Sequence, residues 1–446
     1  MKFTHCLVSL AALSASSLAP AAAYTVAEVA AESAKANAFF ERVFDEVVAR
    51  SPMTMTQLGL KTDYDKWDDF SEQGSLENLQ LAITQLAEMK RTINFAALDD
   101  QARVSYRMFA LQTEEAIEGW RWRHHSYPLN QMDGAHSLVP AFLISFHSVE
   151  NLAEAQAYVA RLRGIAPLFA ETVASVKARA ALGVLPPKFV FPIVIDACRS
   201  VITGAPFEQT EKKSALWEDF ESKVNALTNV DAAVKTALLA EAHAALLESV
   251  QPAYASLIAL LTEQEAVATT DDGVWKLPAG DEYYAFKLRE STTTNLTAAE
   301  IHQIGLREVA RIHAEMTAIK EQVGFKGTLP EFFVFMREDP QFYYPNTPEG
   351  KQAYIDRANG FIAAMSAELD RFFGVKPKAP LVLRKVEPFR EEGSAAAFYE
   401  QPSPDGSRPG VYYVNTFDMN GLPIYEMESL AYHEAIPGHH MQIAIA

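Results

Sequence analysis

The stretch Tyr432-His433-Glu434-Ala435-Ile436-Pro437-Gly438-His439-His440 sets the tightest limit on how this chain can fold. It gathers three imidazoles and a carboxylate between His433 and His440. A His-Glu pair followed within two turns by further His is how helical zinc hydrolases present ligands and a general base. The usual spacing puts the second ligand four residues on, and that position here is Pro437. Proline has no N–H for the carbonyl of His433, and its ring clashes with that carbonyl. A regular helix therefore cannot run through. Gly438 follows, free in φ. The expected result is a widened turn between His433 and His439, of a kind frequent at functional sites.

Geometry then ranks the ligands. On a regular helix His440 would lie nearly in line with His433 but about 10 Å along the axis. Two nitrogens on one zinc sit far closer. If the turn absorbs two extra residues, His439 takes the place of the second ligand. His433 and His439 are the preferred ligands, with His440 as the substitute. Glu434, beside the first ligand, is placed to act as base on a metal-bound water. The bland alternative is a Pro-Gly helix end with surface or packed histidines. The clustering of three His and a Glu serves ligation better than packing.

These residues also carry a resemblance. HEAIPGHH, with Glu428-Ser429-Leu430-Ala431-Tyr432 before it and Met441-Gln442 after it, resembles the signature of the bacterial domain of unknown function 885 family. The stretches from Asp405 to Asn415 and from Thr292 to Ile301 match it too, as does an early Ser51-Pro52 followed by Gly59. The family is similar in fold to helical zinc peptidases such as Taq-type carboxypeptidases and neurolysin. The resemblance implies a zinc-dependent, peptidase-like hydrolase. It also implies a third ligand, a Glu on a later helix. The chain stops in apolar residues, Ile443-Ala444-Ile445-Ala446, without helix-stop signals. The expectation is a C-terminally truncated fragment, inactive by itself, with its third ligand beyond residue 446.

The 446 residues carry 49% hydrophobic and 22% charged side chains, ample for a globular core. A net charge of -18 argues against nucleic acid as a partner, since phosphate binding needs a basic surface. Lys2, the apolar run Leu7 to Leu18 and Ala21-Ala22-Ala23 read as a signal peptide cut near Ala23. That predicts a periplasmic or secreted protein. Cys6 falls in the leader, so Cys198 remains without a partner. No later apolar run approaches the roughly 20 residues of a spanning helix, so no stable membrane insertion is expected.

Along the chain the apolar spacing predicts a mainly α body. Helices are expected over Val26 to Arg50, Leu76 to Ile93, Leu98 to Trp122 and Phe142 to Ala181, with a loop from Tyr127 to Pro140. Phe189 to Cys198 reads as strand or helix. Asp231 is an N-cap candidate, and Pro252 interrupts the helix that follows. Thr297-Ala298-Ala299-Glu300 is a capping box, opening a helix with an apolar stripe of Ile301, Ile304, Val309, Ile312, Met316 and Ile319. Thr347-Pro348 starts another helix. Short strands at Leu381-Val382-Leu383, Ala397-Phe398-Tyr399 and Val411 to Asn415 predict a small sheet beside the motif helix.

The expectation is a large helical zinc-peptidase-like body: a signal peptide over 1–23, then one domain over 24–446. Zn2+ is the expected cofactor and a peptide the expected substrate. In the zinc peptidases it resembles, a strand beside the metal helix binds substrate backbone by strand addition. Tyr412, Tyr413 and Asn415 are candidates for that edge, against ordinary strand packing. Arg408 could pair with a peptide carboxylate, against a solvated loop residue. Two competing readings are a non-catalytic metal- or peptide-binding envelope protein and a zinc amidase or esterase. A serine or cysteine mechanism fits poorly: no G-x-S-x-G elbow precedes a helix.

Overall fold

The computed structural model describes residues 24–388 and 390–445. The leader over 1–23, Cys6 included, lies outside the described residues. The chain is mainly α with one small sheet. Its contacts divide it into two compact units. One comprises residues up to Phe44 together with Ala82–Glu114; the other comprises Asp45–Leu81 and Glu115 onward.

The first unit draws on α1 (Val26–Val48), α3 (Glu72–Thr92) and α4 (Asp100–Gly119); α2 (Pro52–Gln57) belongs to the second. Its core is Ala36, Phe39, Val43, Leu86, Met89, Ile93, Leu98 and Ala102. The rings of Phe39 and Phe109 meet edge to face at 5.8 Å, a favoured aromatic geometry. The spacing of Val104, Phe109, Leu111 and Ile117 reads as an inward stripe on α4, and of these Phe109 packs against this core. Val104 and Leu111 are largely exposed.

The second unit continues with α5 (Ala135–Ser145), α6 (Leu152–Ala181), α7 (Val190–Val201), α8 (Ala215–Ala226), α9 (Ala232–Ala245) and α10 (Gln251–Val267). These enclose a large core that includes Tyr158, Leu162, Phe169, Cys198, Phe220 and Tyr254. The segment from Phe189 to Cys198 is thus helix, and Cys198 is buried in apolar surroundings that push its thiol up to about 12. The expected single helix from Phe142 is two, broken at Asn151, whose side chain caps α6. Part of the expected 127–140 loop is α5, with Pro140 inside it. Proline leaves the carbonyl of residue i−4 without its helical donor. That carbonyl belongs to His136, and the buried Tyr254 hydroxyl donates to it at 2.7 Å. A distant helix thereby repairs a local defect. Pro252 is accommodated differently. A π-type turn over Leu246–Val250 precedes it, so the helix widens before the missing N–H is met. Asp231 precedes α9 but its side chain makes no capping bond.

Next come α11 (Gly280–Thr292), α12 (Ala298–Gln322), α13 (Leu329–Glu338) and α14 (Pro348–Glu368). Thr297 and Glu300 form the full capping box, each side chain bonded to the other's backbone N–H. No residue of α12 is buried, and its apolar stripe is open, with Val309 at 50% exposure. Apolar period specified this helix correctly but not a covering partner. The sheet has order β1-β3-β2, with β1 (Leu381–Lys385) parallel and β2 (Ala397–Glu400) antiparallel to the central β3 (Gly410–Val414). Tyr412 and Val414 on one face of β3 pack with Tyr354 of α14 and with Met427, Ala431 and Ala435 of the motif segment. Val411 and Tyr413 face the other way.

Tyr254→Phe keeps the apolar body of the side chain and removes the donor to His136. The expected cost is about 1–3 kcal/mol of unfolding free energy, the desolvation cost of a buried acceptor left unpaired. Urea denaturation checks it; a variant as stable as the parent would contradict the account of Pro140.

Candidate metal centre

The motif lies on α15 (Met427–Glu434) and α16 (His439–Ile445), separated by a turn from Ala435 to Gly438. Met427, Ala431 and Glu434 share the buried face of α15, at i, i+4 and i+7, so the next position around, His433, is exposed. The Ile436–Pro437 peptide is cis. The N–H of His440 reaches back to the carbonyl of Ala435 at 3.1 Å, a five-residue closure, wider than an α-turn. The turn is therefore widened as the proline demands. Gly438 has a different reason from the one expected. Its φ is not positive. Instead a Cβ there would lie 1.8 Å from the carbonyl oxygen of His433 and 2.5 Å from that of Tyr432. Only glycine lets the chain fold back this closely.

Folding back brings His439 beside His433, with ring centroids 4.8 Å apart and nearly perpendicular. Ligand-competent atoms of His433, Glu434 and His439 all lie within 4.8 Å of one another. Nε2 of His439 is 3.9 Å from Oε2 of Glu434. A tetrahedral zinc with bonds of about 2.1 Å holds its donors about 3.4 Å apart. The donors of His433 and His439, within 4.8 Å of each other, thus fit zinc with small side-chain shifts, and the Glu434 carboxylate lies beside them. Nδ1 of His439 faces Oε1 of Gln442 at 3.4 Å, the kind of outer partner that orients a ligating imidazole. Burial raises the pKa of Glu434, while His439 and His433 oppose the rise. Burial also raises Tyr412 and Tyr354, and the charge of Glu434 adds to the effect on Tyr412. Both of these tyrosine hydroxyls are buried without a hydrogen-bond partner among the described residues.

His440, the substitute ligand, lies elsewhere. It is buried, with Nε2 3.1 Å from the carbonyl of Ala379 and Nδ1 2.8 Å from the Tyr399 hydroxyl. The carbonyl can only accept, so Nε2 carries the proton and Nδ1 accepts from Tyr399. Burial lowers the pKa of His440, in keeping with a neutral ring. Neither nitrogen is left for a metal. Gly410 makes room for this contact: a Cβ there would sit 2.4 Å from the Tyr399 hydroxyl and 2.6 Å from Nδ1 of His440.

Tyr412, Tyr413 and Asn415, expected at a substrate edge, are not on one, and Arg408, expected to pair with a peptide carboxylate, is bonded to the protein's own backbone. Tyr412 and Tyr413 belong to the central strand and are buried. Asn415 donates to the carbonyls of Glu391 and Ser394 and accepts from the N–H of Phe417, tethering the loop before β2. Arg408 donates to the carbonyls of Gln401 and Gln57, each at 2.7 Å, and lies over the Phe146 ring. The outer edge near the motif is β2. The N–H of Asn415 bonds to the carbonyl of Ala396, and antiparallel pairing alternates. Phe398 and Glu400 therefore pair with β3, while Ala397 and Tyr399 turn their backbone groups outward. The Tyr399 ring stacks over His439 at 6.2 Å between centroids. A signal for this was available. Val411-Tyr412-Tyr413-Val414 is a continuous apolar run, which marks a strand covered on both faces.

The chain belongs to a bacterial family described as protein of unknown function, DUF885, whose family model matches residues 52–446. Among solved structures it is similar to a "putative lipoprotein" from Colwellia psychrerythraea. The TM-score is 0.81 at 25% identity, over 93% of this chain and 72% of that one. A second similar structure, described as a "putative lipoprotein of unknown function" from Shewanella oneidensis, gives 0.56 at 16% identity, over 91% and 71%. That second likeness shows the fold alone. No curated protein matches the chain.

Two outcomes are expected. Nitrogen chemical shifts of His440 should report protonated Nε2 and bare Nδ1 both before and after zinc is added; a zinc-dependent shift in either would make it a ligand. Gly438→Ala should lower zinc affinity by about tenfold or more, because the His433–His439 approach requires the missing Cβ. Unchanged affinity in a zinc titration would contradict this reading of the turn.

Proposed function

We propose that this protein is a zinc-dependent, peptidase-like hydrolase of the cell envelope. The observation that carries the reading is the convergence of His433, Glu434 and His439 within 4.8 Å of one another. His433 and His439 would hold the ion. When bound, zinc supplies Lewis acidity, polarising a scissile carbonyl and acidifying water. Glu434 serves as general base: its carboxylate accepts the proton of the attacking water and returns it to the leaving amine. Its burial strengthens it for that task by raising its proton affinity. A storage site would gain nothing from a buried carboxylate between two ligands.

The open edge of β2 suits an extended peptide. Outward N–H and C=O groups at Ala397 and Tyr399 can pair with substrate backbone by strand addition. Tyr399 would then present the bound chain to His439, over which it already stacks. The envelope location draws on the similar structure from Colwellia psychrerythraea, described as a "putative lipoprotein", and on the signal-like leader.

The protein with whatever native sequence adjoins this chain, purified without chelator, should contain about one zinc per chain by elemental analysis. Glu434→Gln should keep that zinc and lose most peptide hydrolysis, about 100-fold or more, since general-base catalysis contributes on that order. Absence of any transition metal in folded protein would sink the proposal. Loss of metal along with activity in the variant would make Glu434 a ligand instead of the base.

A further inference from the structure

On the face of β2 away from the metal centre lies a cleft of about 740 Å³. Phe398 and Glu400 form its wall on the strand, and residues of α5, α7 and the loop before β2 complete it. Its charge is lopsided. The one basic side chain lining it among the described residues, Arg390, is held by Glu387 at 2.6 Å and Glu400 at 3.5 Å, and lies over the Phe398 ring. Asp133 and Glu392, at the exposed rim, have side chains in no ion pair among the described residues. A second, independent feature points to a ligand. His136 lines the same cleft, is only 3% exposed, and its imidazole has no hydrogen-bond partner among the described residues; Nδ1 is sealed inside, which leaves Nε2 as the nitrogen a ligand can reach. Buried polar groups are rarely left unpaired. Burial pushes the His136 pKa down to about 4, so the ring is neutral and can accept a hydrogen bond from a cation.

The sheet geometry connects this cleft to the edge. Side chains alternate between the faces of a strand, and a cross-strand neighbour shares the face of its partner. A peptide added along β2 therefore turns the residues beside Tyr399 toward the metal centre. It turns the residues beside Phe398 and Glu400 toward the cleft. We infer that the cleft is a specificity pocket for a basic side chain, Lys or Arg, of an extended peptide bound on β2, its ammonium or guanidinium group meeting His136, Asp133 and Glu392. The inference rests on the strand-addition part of the proposed function but not on catalysis.

The test is a binding measurement in the presence of chelator. Fluorescently labelled extended peptides that carry Lys, Ala or Glu at one central position are titrated with the protein, and anisotropy is read. The Lys peptide should bind about tenfold more tightly than the Ala peptide, a plausible gain for a charge met by two carboxylates, and the Glu peptide more weakly still. In Asp133→Asn/Glu392→Gln the Lys advantage should fall to about twofold, with the Ala peptide unaffected. Glu263→Gln/Glu265→Gln, a charge-matched pair outside the cleft, should leave the advantage intact. Equal affinities for the three peptides, equal losses in both double variants, or no peptide binding at millimolar protein would each overturn the pocket. A Lys preference in chelated protein whose zinc-loaded form cleaves nothing would support the pocket while sinking the hydrolase reading. Cleavage without charge preference would do the reverse.

Discussion

The candidate centre depends on one contact: the seating of His440 between β2, β3 and the segment before β1. Its Nδ1 accepts from Tyr399 and its Nε2 donates to Ala379, and Gly410 leaves the space they need. A neutral imidazole with one donor and one acceptor position is satisfied completely by these partners. That fixes the start of α16 against the sheet. His439, the preceding residue, is then carried to the opposite side, toward His433. Gly438 permits the return by letting the chain pass against the His433 carbonyl, where a Cβ would collide. Two adjacent histidines thus divide the work: one anchors the helix and the other is free to bind.

The sheet divides its work similarly. β3 is central and buried, and it joins the motif segment to the body through Tyr412 and Val414. β2 is the outer strand, and its two faces look onto different surroundings. Tyr399 meets the histidines, while Phe398 and Glu400 meet the cleft that contains His136. On the proposed reading, substrate backbone would lie between a hydrolytic face and a selecting face. The acidic balance of the chain accords with basic partners, although charge alone steers association and does not choose a reaction.

Features written in local sequence were legible. The capping box at Thr297, the Thr347-Pro348 helix start and three short strands all follow from chemistry within a few residues. The proline at position 437 was enough to predict a widened turn. Features set by distant partners were not legible. The choice between His439 and His440 depends on Gly410 and Tyr399, some thirty to forty residues upstream. Strand order removed Tyr412 and Tyr413 from the edge, though their unbroken apolar run held the clue. Pro140 sits in a helix because Tyr254, far along the chain, supplies the missing donor. The stripe on α12 has helical period yet stays exposed, since period describes a surface and not what covers it.

On the proposed reading, the widened turn brings His433 and His439 to one ion and leaves His440 out. Anomalous diffraction at the zinc edge from crystals soaked in zinc tests it most directly. One strong peak is expected within about 2.1 Å of a nitrogen of each of His433 and His439, with the Tyr399–His440–Ala379 contacts unchanged. A peak bonded to His440, or a zinc-soaked crystal whose anomalous peaks avoid His433 and His439, would contradict it.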